Sequence, residues 1–369
     1  MAHNPERLSR LRAVMGEQGI DVLYIRGLSN VSWTTGFERV FDDEPTHALV
    51  ISACNCVLHT DSRYFDAMES AAADTDIEVD NSRMAHSAVL AKVADGVDRD
   101  SVRIGIEDSM PLAEYRALQR TFEGRAVDLV ELSGFVEELR QVKDESEITA
   151  MRKAQSITDA AFAKIIAFMK PGMTEREVQL QLDRYMYEEG AEGLAFGTIV
   201  ATGAHAASPH AIPGETKLAF GDAVVMDFGA RYAGYCSDMT RTVFVGEPSD
   251  EVRRAYGAIR RANEECEAML RAGLSGAEVH QHAEAILEEE GFGGAMGHSL
   301  GHSVGIDIHE APNLSLRNPK ALCAGNVVTV EPGIYLTGKF GMRLEDYGVV
   351  RDTSYEVFTQ STHEMIIIS

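Results

Sequence analysis

No stretch of the chain approaches ~20 consecutive apolar residues, so no segment reads as a membrane-spanning helix. No basic block is present either: 34 Lys and Arg stand against 58 Asp and Glu, a formal net charge of −24 at pH 7. That balance excludes a surface built to gather nucleic acid or anionic lipid. Cysteine is sparse, with Cys54, Cys56, Cys236, Cys266 and Cys323 odd in number and widely scattered. Cys54 and Cys56 would share one face of a strand, but no CxxC pair accompanies them. Structural thiols in a reducing cytoplasm are the reading, not a disulfide framework. The opening residues Met1-Ala2-His3-Asn4-Pro5-Glu6 lack the charged-then-apolar pattern of a secretory signal, and a cytoplasmic location is expected. Low-complexity sequence is scarce. At 369 residues, 45% hydrophobic and 25% charged, the chain reads as globular and longer than one typical domain.

Residues 1–135 alternate helix and strand signals. Leu8, Leu11 and Met15 keep helical spacing between Pro5 and Gly19, and a strand follows from Asp21. Short strands are predicted at Ala48–Ile51, Cys56–His59, Val102–Ile106 and Val127–Val130, with a helix from Pro111 to Phe122. This is an α/β domain in its own right. Residues 136–369 follow a different plan and form a second domain. A long helix is predicted from about Asp144, with Ile148, Met151, Phe162, Ile165 and Met169 on one stripe, ending at Pro171-Gly172. Thr174-Glu175-Arg176-Glu177 then reads as a capping box, and its helix closes at Gly190.

The same pattern is written again. A helix is predicted from Ser249 to about Arg271, and Ser275-Gly276-Ala277-Glu278 opens another that closes at Gly291. Residues 171–178 match 272–279, and Glu188-Glu189-Gly190 matches Glu289-Glu290-Gly291, both at an offset of 101. Two matches in one register indicate an internal duplication. Each half ends in a strand pair bearing two acids. Asp227 and Asp238 are symmetric about Tyr232-Ala233, Glu331 and Glu345 about Gly338. Hairpins turning at those points would oppose the acids on one face, and facing halves would bring four carboxylates together.

Opposed acids in strands as apolar as these (Val224, Val225, Phe228, Val328, Val330) are costly unless a cation neutralises them. His302 lies in a glycine-rich segment with His298 and His309. Glycine at every fourth position disfavours a helix there, and no His-Glu-x-x-His is present, so an extended segment presenting several imidazoles is expected. Four carboxylates and one imidazole make a mostly oxygen donor set. It favours manganese, cobalt or iron and leaves zinc open. Two divalent ions ~3.5–4 Å apart would lower the pKa of water and stabilise a developing oxyanion. Amide or ester hydrolysis follows as the reaction class.

Several stretches carry a family resemblance: Ser208-Pro209-His210, Met226–Thr242, Gly297–Pro312, Thr329-Val-Glu-Pro-Gly-Ile-Tyr335 and Gly341-Met-Arg-Leu-Glu-Asp346. Residues from about 140 to 360 resemble the pita-bread (creatinase/aminopeptidase) fold of the Xaa-Pro peptidases, prolidase and aminopeptidase P, of peptidase family M24. Residues 1–130 resemble the creatinase and prolidase N-terminal domain more loosely. The resemblance implies an α+β protein: a duplicated pita-bread domain behind a smaller α/β domain. It implies that Asp227, Asp238, His302, Glu331 and Glu345 hold two metal ions, with Asp238 and Glu345 bridging and Glu331 shuttling a proton. It further implies that His210, His298, His309 and Arg343 serve the substrate. The implied partner is a proline-containing peptide, cleaved before proline by a homodimer or tetramer. Two departures bear on substrate preference: Ala211 stands where glycine is frequent, and Glu345-Asp346-Tyr347-Gly348 replaces Glu-Asp-Asp-Val. The alternatives are an aminopeptidase of the same fold without proline specificity and a non-catalytic binding module. The module is disfavoured because such modules typically lose metal ligands.

Overall fold

A computed structural model describes residues 4–37, 39–42 and 44–369. The chain divides into two compact units, one ending at Arg140 and one running from Gln141 to Ser369. No helix among the described residues is long and apolar enough to cross a membrane.

The first unit is built on a six-stranded mixed sheet. Its order is Glu78–Asp80, Cys56–His59, Ala48–Ser52, Val22–Ile25, Val102–Glu107, Val127–Leu132. The expected helix forms over Pro5–Gln18, where the Asn4 side chain accepts from the Glu6 amide and Gly19 closes the end at φ 65°. Its buried face includes Leu8, Leu11 and Met15, as the spacing requires. Helices Leu28–Thr35, Phe65–Ala72, His86–Asp95 and Phe135–Arg140 were not legible. The reason is clearest for Leu28–Thr35, which buries Asn30, Thr34 and Thr35 beside Val31 and Trp33 and so lacks a clean apolar period.

The second unit repeats one design. Helix Glu145–Phe168 starts in a capping box on Asp144, helix Glu175–Glu188 in one on Thr174 and helix Gly276–Glu289 in one on Ser275. Helix Asp250–Met269 is capped by Ser249. The duplication extends to the backbone. Gly172 N donates to Leu218 O at 2.8 Å and Gly273 N to Leu322 O at 2.9 Å. Leu218 N returns to Met173 O and Leu322 N to Leu274 O. Each helix pair covers a sheet: one ordered Ile367–Ile368, Met239–Val245, Ala223–Phe228, Ile199–Thr202, the other Glu310–Leu314, Gly301–Ser303, Val327–Val330, Asp346–Val350, Tyr355–Val357. The His302 segment is thus extended, as its glycines suggested. A bridge between Thr240 and Glu345 links the two sheets, with Glu345 N donating to Thr240 O at 3.1 Å.

The second hairpin keeps the expected register: Val330 faces Asp346 and Gly333 faces Arg343, so Glu331 and Glu345 occupy equivalent points about Gly338. The first does not. Tyr232 pairs with Tyr235 and Asp227 with Thr240, so the turn is Ala233-Gly234, one residue later than expected. Both turn residues have positive φ, 49° and 80°, the geometry a two-residue hairpin loop demands and glycine supplies. Asp238 therefore lies diagonal to Asp227 rather than opposite it, and Thr240 takes the facing place.

Candidate metal centre

The acids sit where both hairpins bend. At Gly229 the Ser237 carbonyl leaves no room for a Cβ, and at Gly341 the Ala206 carbonyl does the same. Asp227, Asp238 and Glu345 are 8%, 4% and 2% exposed. One cavity of about 900 Å³ is lined by all nine residues singled out in the sequence: His210, Asp227, Asp238, His298, His302, His309, Glu331, Arg343 and Glu345.

Within that cavity Asp238, His302 and Glu345 each offer a ligand atom, all within 4.8 Å of one another. His302 Nε2 lies 3.5 Å from both Asp238 Oδ2 and Glu331 Oε1. Its Nδ1 faces the Ser303 carbonyl at 3.1 Å, which can only accept. The proton therefore sits on Nδ1, and Nε2 presents its lone pair to the acids. Burial lowers the His302 pKa, which keeps that lone pair available.

Burial, then Glu345, Asp227 and Glu331, raise the Asp238 carboxyl well above the usual carboxylate range. Burial, then Glu331 and Asp227, do the same to Glu345. The local cation is Arg343, paired with Asp227 Oδ2 and 3.8 Å from oxygens of Glu331 and Glu345. One guanidinium against four carboxylates leaves negative charge in excess. Asp227 Oδ1 is buried with no hydrogen-bond partner, an acceptor aimed at nothing the chain provides. The donor set, the excess charge and this orphan oxygen all fit divalent cations.

Sequence reasoning missed the residues that hold these groups. Thr240 Oγ1 donates to Glu345 Oε2 at 2.6 Å and accepts from Arg343 Nε at 2.9 Å. A turn placed at Ala233-Gly234 would have exposed it. Thr329 Oγ1 donates to Glu331 Oε1 at 3.1 Å. Tyr335 Oη accepts from Arg343 Nη1 at 2.8 Å and lies 3.2 Å from His298 Nε2. His298 Nδ1 donates to the Ser299 carbonyl at 2.7 Å, so its Nε2 accepts the Tyr335 proton. His298 thus ends a chain running from Arg343, whereas His210 and His309 are exposed to the cavity. Lys143, almost fully buried, sits 3.1 Å from Ser303 Oγ and 3.0 Å from Glu310 Oε2. It ties together the neighbours of His302 and His309.

The model of metallopeptidase family M24 matches residues 149–352, and that of the creatinase/prolidase N-terminal domain matches residues 7–142. The chain belongs to metallopeptidase family M24. The M24 chain is 35% identical over 365 residues to the Bacillus subtilis protein "Uncharacterized peptidase YqhT", covering 98% of this chain and 100% of that one. It is also similar to a Xaa-Pro dipeptidase from Bacillus anthracis (TM-score 0.91, 36% identity, 98% and 99% covered). The X-Pro aminopeptidase from Thermotoga maritima MSB8 is comparable, at TM-score 0.87 and 34% identity with 98% and 100% covered. The fold expected from the sequence, a duplicated pita-bread domain after a creatinase-type domain, is the one the M24 peptidase has.

Behind the acids of this M24 peptidase lies a second charged group. Arg241 donates to the Glu345 carbonyl at 2.7 Å and to Asp346 Oδ1 at 2.6 Å. His363 Nε2 reaches Asp346 Oδ2 at 2.7 Å, and its Nδ1 faces Glu264 at 3.2 Å. Burial opposes the charge on His363, but the hydrogen bond and charge of Asp346 outweigh it, and its pKa is raised. A histidine raised by folding stabilises the protein fully below its unfolded pKa of ~6.5, and that contribution is lost as pH rises through the folded value. His363→Gln should therefore melt well below wild type in acid, with the gap closing as pH rises. Melting curves from about pH 5.5 to 9 check this; a gap that does not change with pH defeats it.

Proposed function

We propose that this M24 peptidase hydrolyses the bond between an N-terminal residue and a following proline. The observation that carries the reading is one cavity holding the acid cluster and four histidines beside apolar Phe196, Ile199, Pro209 and Ile308, a surface suited to a prolyl ring. The likeness to a Xaa-Pro dipeptidase and an X-Pro aminopeptidase supports it.

In this reading Asp227, Asp238, His302, Glu331 and Glu345 would hold two divalent ions, manganese first, with Asp238, His302 and Glu345 converging most closely. Bound ions supply Lewis acidity, easing deprotonation of water and stabilising negative charge. Glu331 handles the proton. Its Oε1 accepts from Thr329, leaving Oε2 to take a proton from the attacking water and return it to the departing proline nitrogen. Burial raises its pKa, which suits that exchange. His309, with its pKa lowered by burial, stays neutral and offers an N–H to the carbonyl oxygen as charge develops there. His210, on the facing loop, orients the peptide.

Purified protein supplied separately with manganese, cobalt and zinc should cleave Xaa-Pro or Xaa-Pro-Xaa peptides, fastest with manganese. Cleavage of the tripeptide alone removes the dipeptidase option. A protein that binds no transition metal and cleaves neither peptide overturns the proposal.

A further inference from the structure

The segment that carries His210 is held at both ends by one carboxylate. Glu175, the first residue of helix Glu175–Glu188, is completely buried. Its Oε1 accepts from Thr202 N at 2.9 Å and from His205 Nδ1 at 2.8 Å. Its Oε2 accepts from Gly214 N at 3.1 Å. The backbone adds Glu175 N to Thr216 O at 3.0 Å and Arg176 N to Gly214 O at 3.1 Å. His210 lies between these anchors, and hydrogen bonds from Ser208 N to His205 O and from Ala211 N to Ser208 O shape the stretch around it. A carboxylate at the first turn is favoured by the helix N-terminus. Three donors satisfy it, so its burial needs no ion pair. Two of the three are backbone amides that can only donate, which makes an amide side chain a poor substitute.

The internal repeat sharpens the point. The offset of 101 places Gly276 where the first half has Glu175. At Gly276 a Cβ would collide with the Asn313 carbonyl, in the strand Glu310–Leu314 that begins just after His309. Each half therefore docks its histidine-bearing segment on the same helical turn. The second half does so by direct backbone contact, the first through a carboxylate.

We propose that Glu175 is a positioning residue that sets His210 for the reaction by clamping both ends of the 203–214 segment. The proposal rests on the reading of His210 as a substrate-orienting group, and one of its tests does not depend on activity. In the metal-loaded protein, Glu175→Ala should raise amide hydrogen exchange across residues 203–214 while leaving exchange in helix Glu145–Phe168 and metal content unchanged. It should lower kcat/KM on an Xaa-Pro peptide by about 10²-fold, the cost of an ångström-scale misplacement. Glu175→Gln, which preserves volume, should show both effects to a smaller degree and serves if the alanine variant does not fold. In a His210→Ala background, Glu175→Ala should cost little more, because the clamp acts through the group already removed. Unchanged exchange in 203–214 overturns the clamp. Loosened exchange with a full, additive loss in the His210→Ala background overturns its action through His210. If wild type cleaves no Xaa-Pro peptide, the functional reading fails while the exchange result still decides the clamp.

Discussion

Asp238→Asn should strip at least one divalent ion from the protein and remove nearly all hydrolysis while leaving the fold intact. Asp238 is buried, its Oδ2 lies 3.5 Å from His302 Nε2, and it shares a potential ion position with Glu345. Asparagine keeps its shape but withdraws a negative charge and turns a donor toward the cluster. Several kcal/mol of charge stabilisation are at stake, on the order of 10³-fold in rate. A second consequence separates this loss from unfolding. Burial and the neighbouring acids disfavour the ionised Asp238 carboxylate, so the metal-free variant should melt no lower than metal-free wild type. The increment that manganese adds to the melting temperature should shrink, because binding to the native state is weakened. Elemental analysis, melting curves with and without metal, and peptide turnover measure all three. A variant with near-normal turnover and full metal content rules out the shared-ligand role.

His309→Ala should keep its metal and slow turnover by roughly 10²–10⁴-fold, the usual span for a proton donor or oxyanion partner. The His309 ring packs edge-on against His302, with centroids 4.5 Å apart, and is otherwise open to the cavity. Burial is the chief cause of its lowered pKa, so in the proposed mechanism it would meet substrate as a neutral donor. Because the interaction strengthens as charge forms on the carbonyl oxygen, the loss should fall on kcat more than on KM. Turnover unchanged from wild type removes His309 from the mechanism. Metal lost together with activity would mean instead that it acts by supporting His302.

Much of this arrangement was legible because its signals are local. Capping boxes at Thr174 and Ser275 and glycines closing both helices repeat at one offset, and the duplicated backbone bonds of the loops follow from that repeat. Gly338 marks the turn of the second hairpin, so the facing of Glu331 and Glu345 could be counted from the sequence. The first hairpin could not be counted so simply. Symmetry between the two aspartates pointed to Tyr232-Ala233, but the turn falls on Ala233-Gly234, both at positive φ, where glycine eases the second position. That single step brings Thr240 opposite Asp227 and makes it the hydroxyl that joins Glu345 to Arg343.

The sequence by itself determined the chemical inventory: four acids and a histidine that are costly to bury together unless a cation neutralises them, and a repeat that pairs them. Its net charge of −24, with no basic block, argued against a surface built for nucleic acid or anionic membrane. Only the tertiary structure decided which oxygen each group presents. The Asp227 oxygen left without a partner, the proton on His302 Nδ1 and the Tyr335 link between Arg343 and His298 depend on contacts between residues far apart in the chain. So does the Glu175 clamp, 27 to 39 residues from the amides it holds. Periodicity and spacing report the path of the backbone within one element. The direction of a buried polar side chain is set by whichever donors the other elements bring to it.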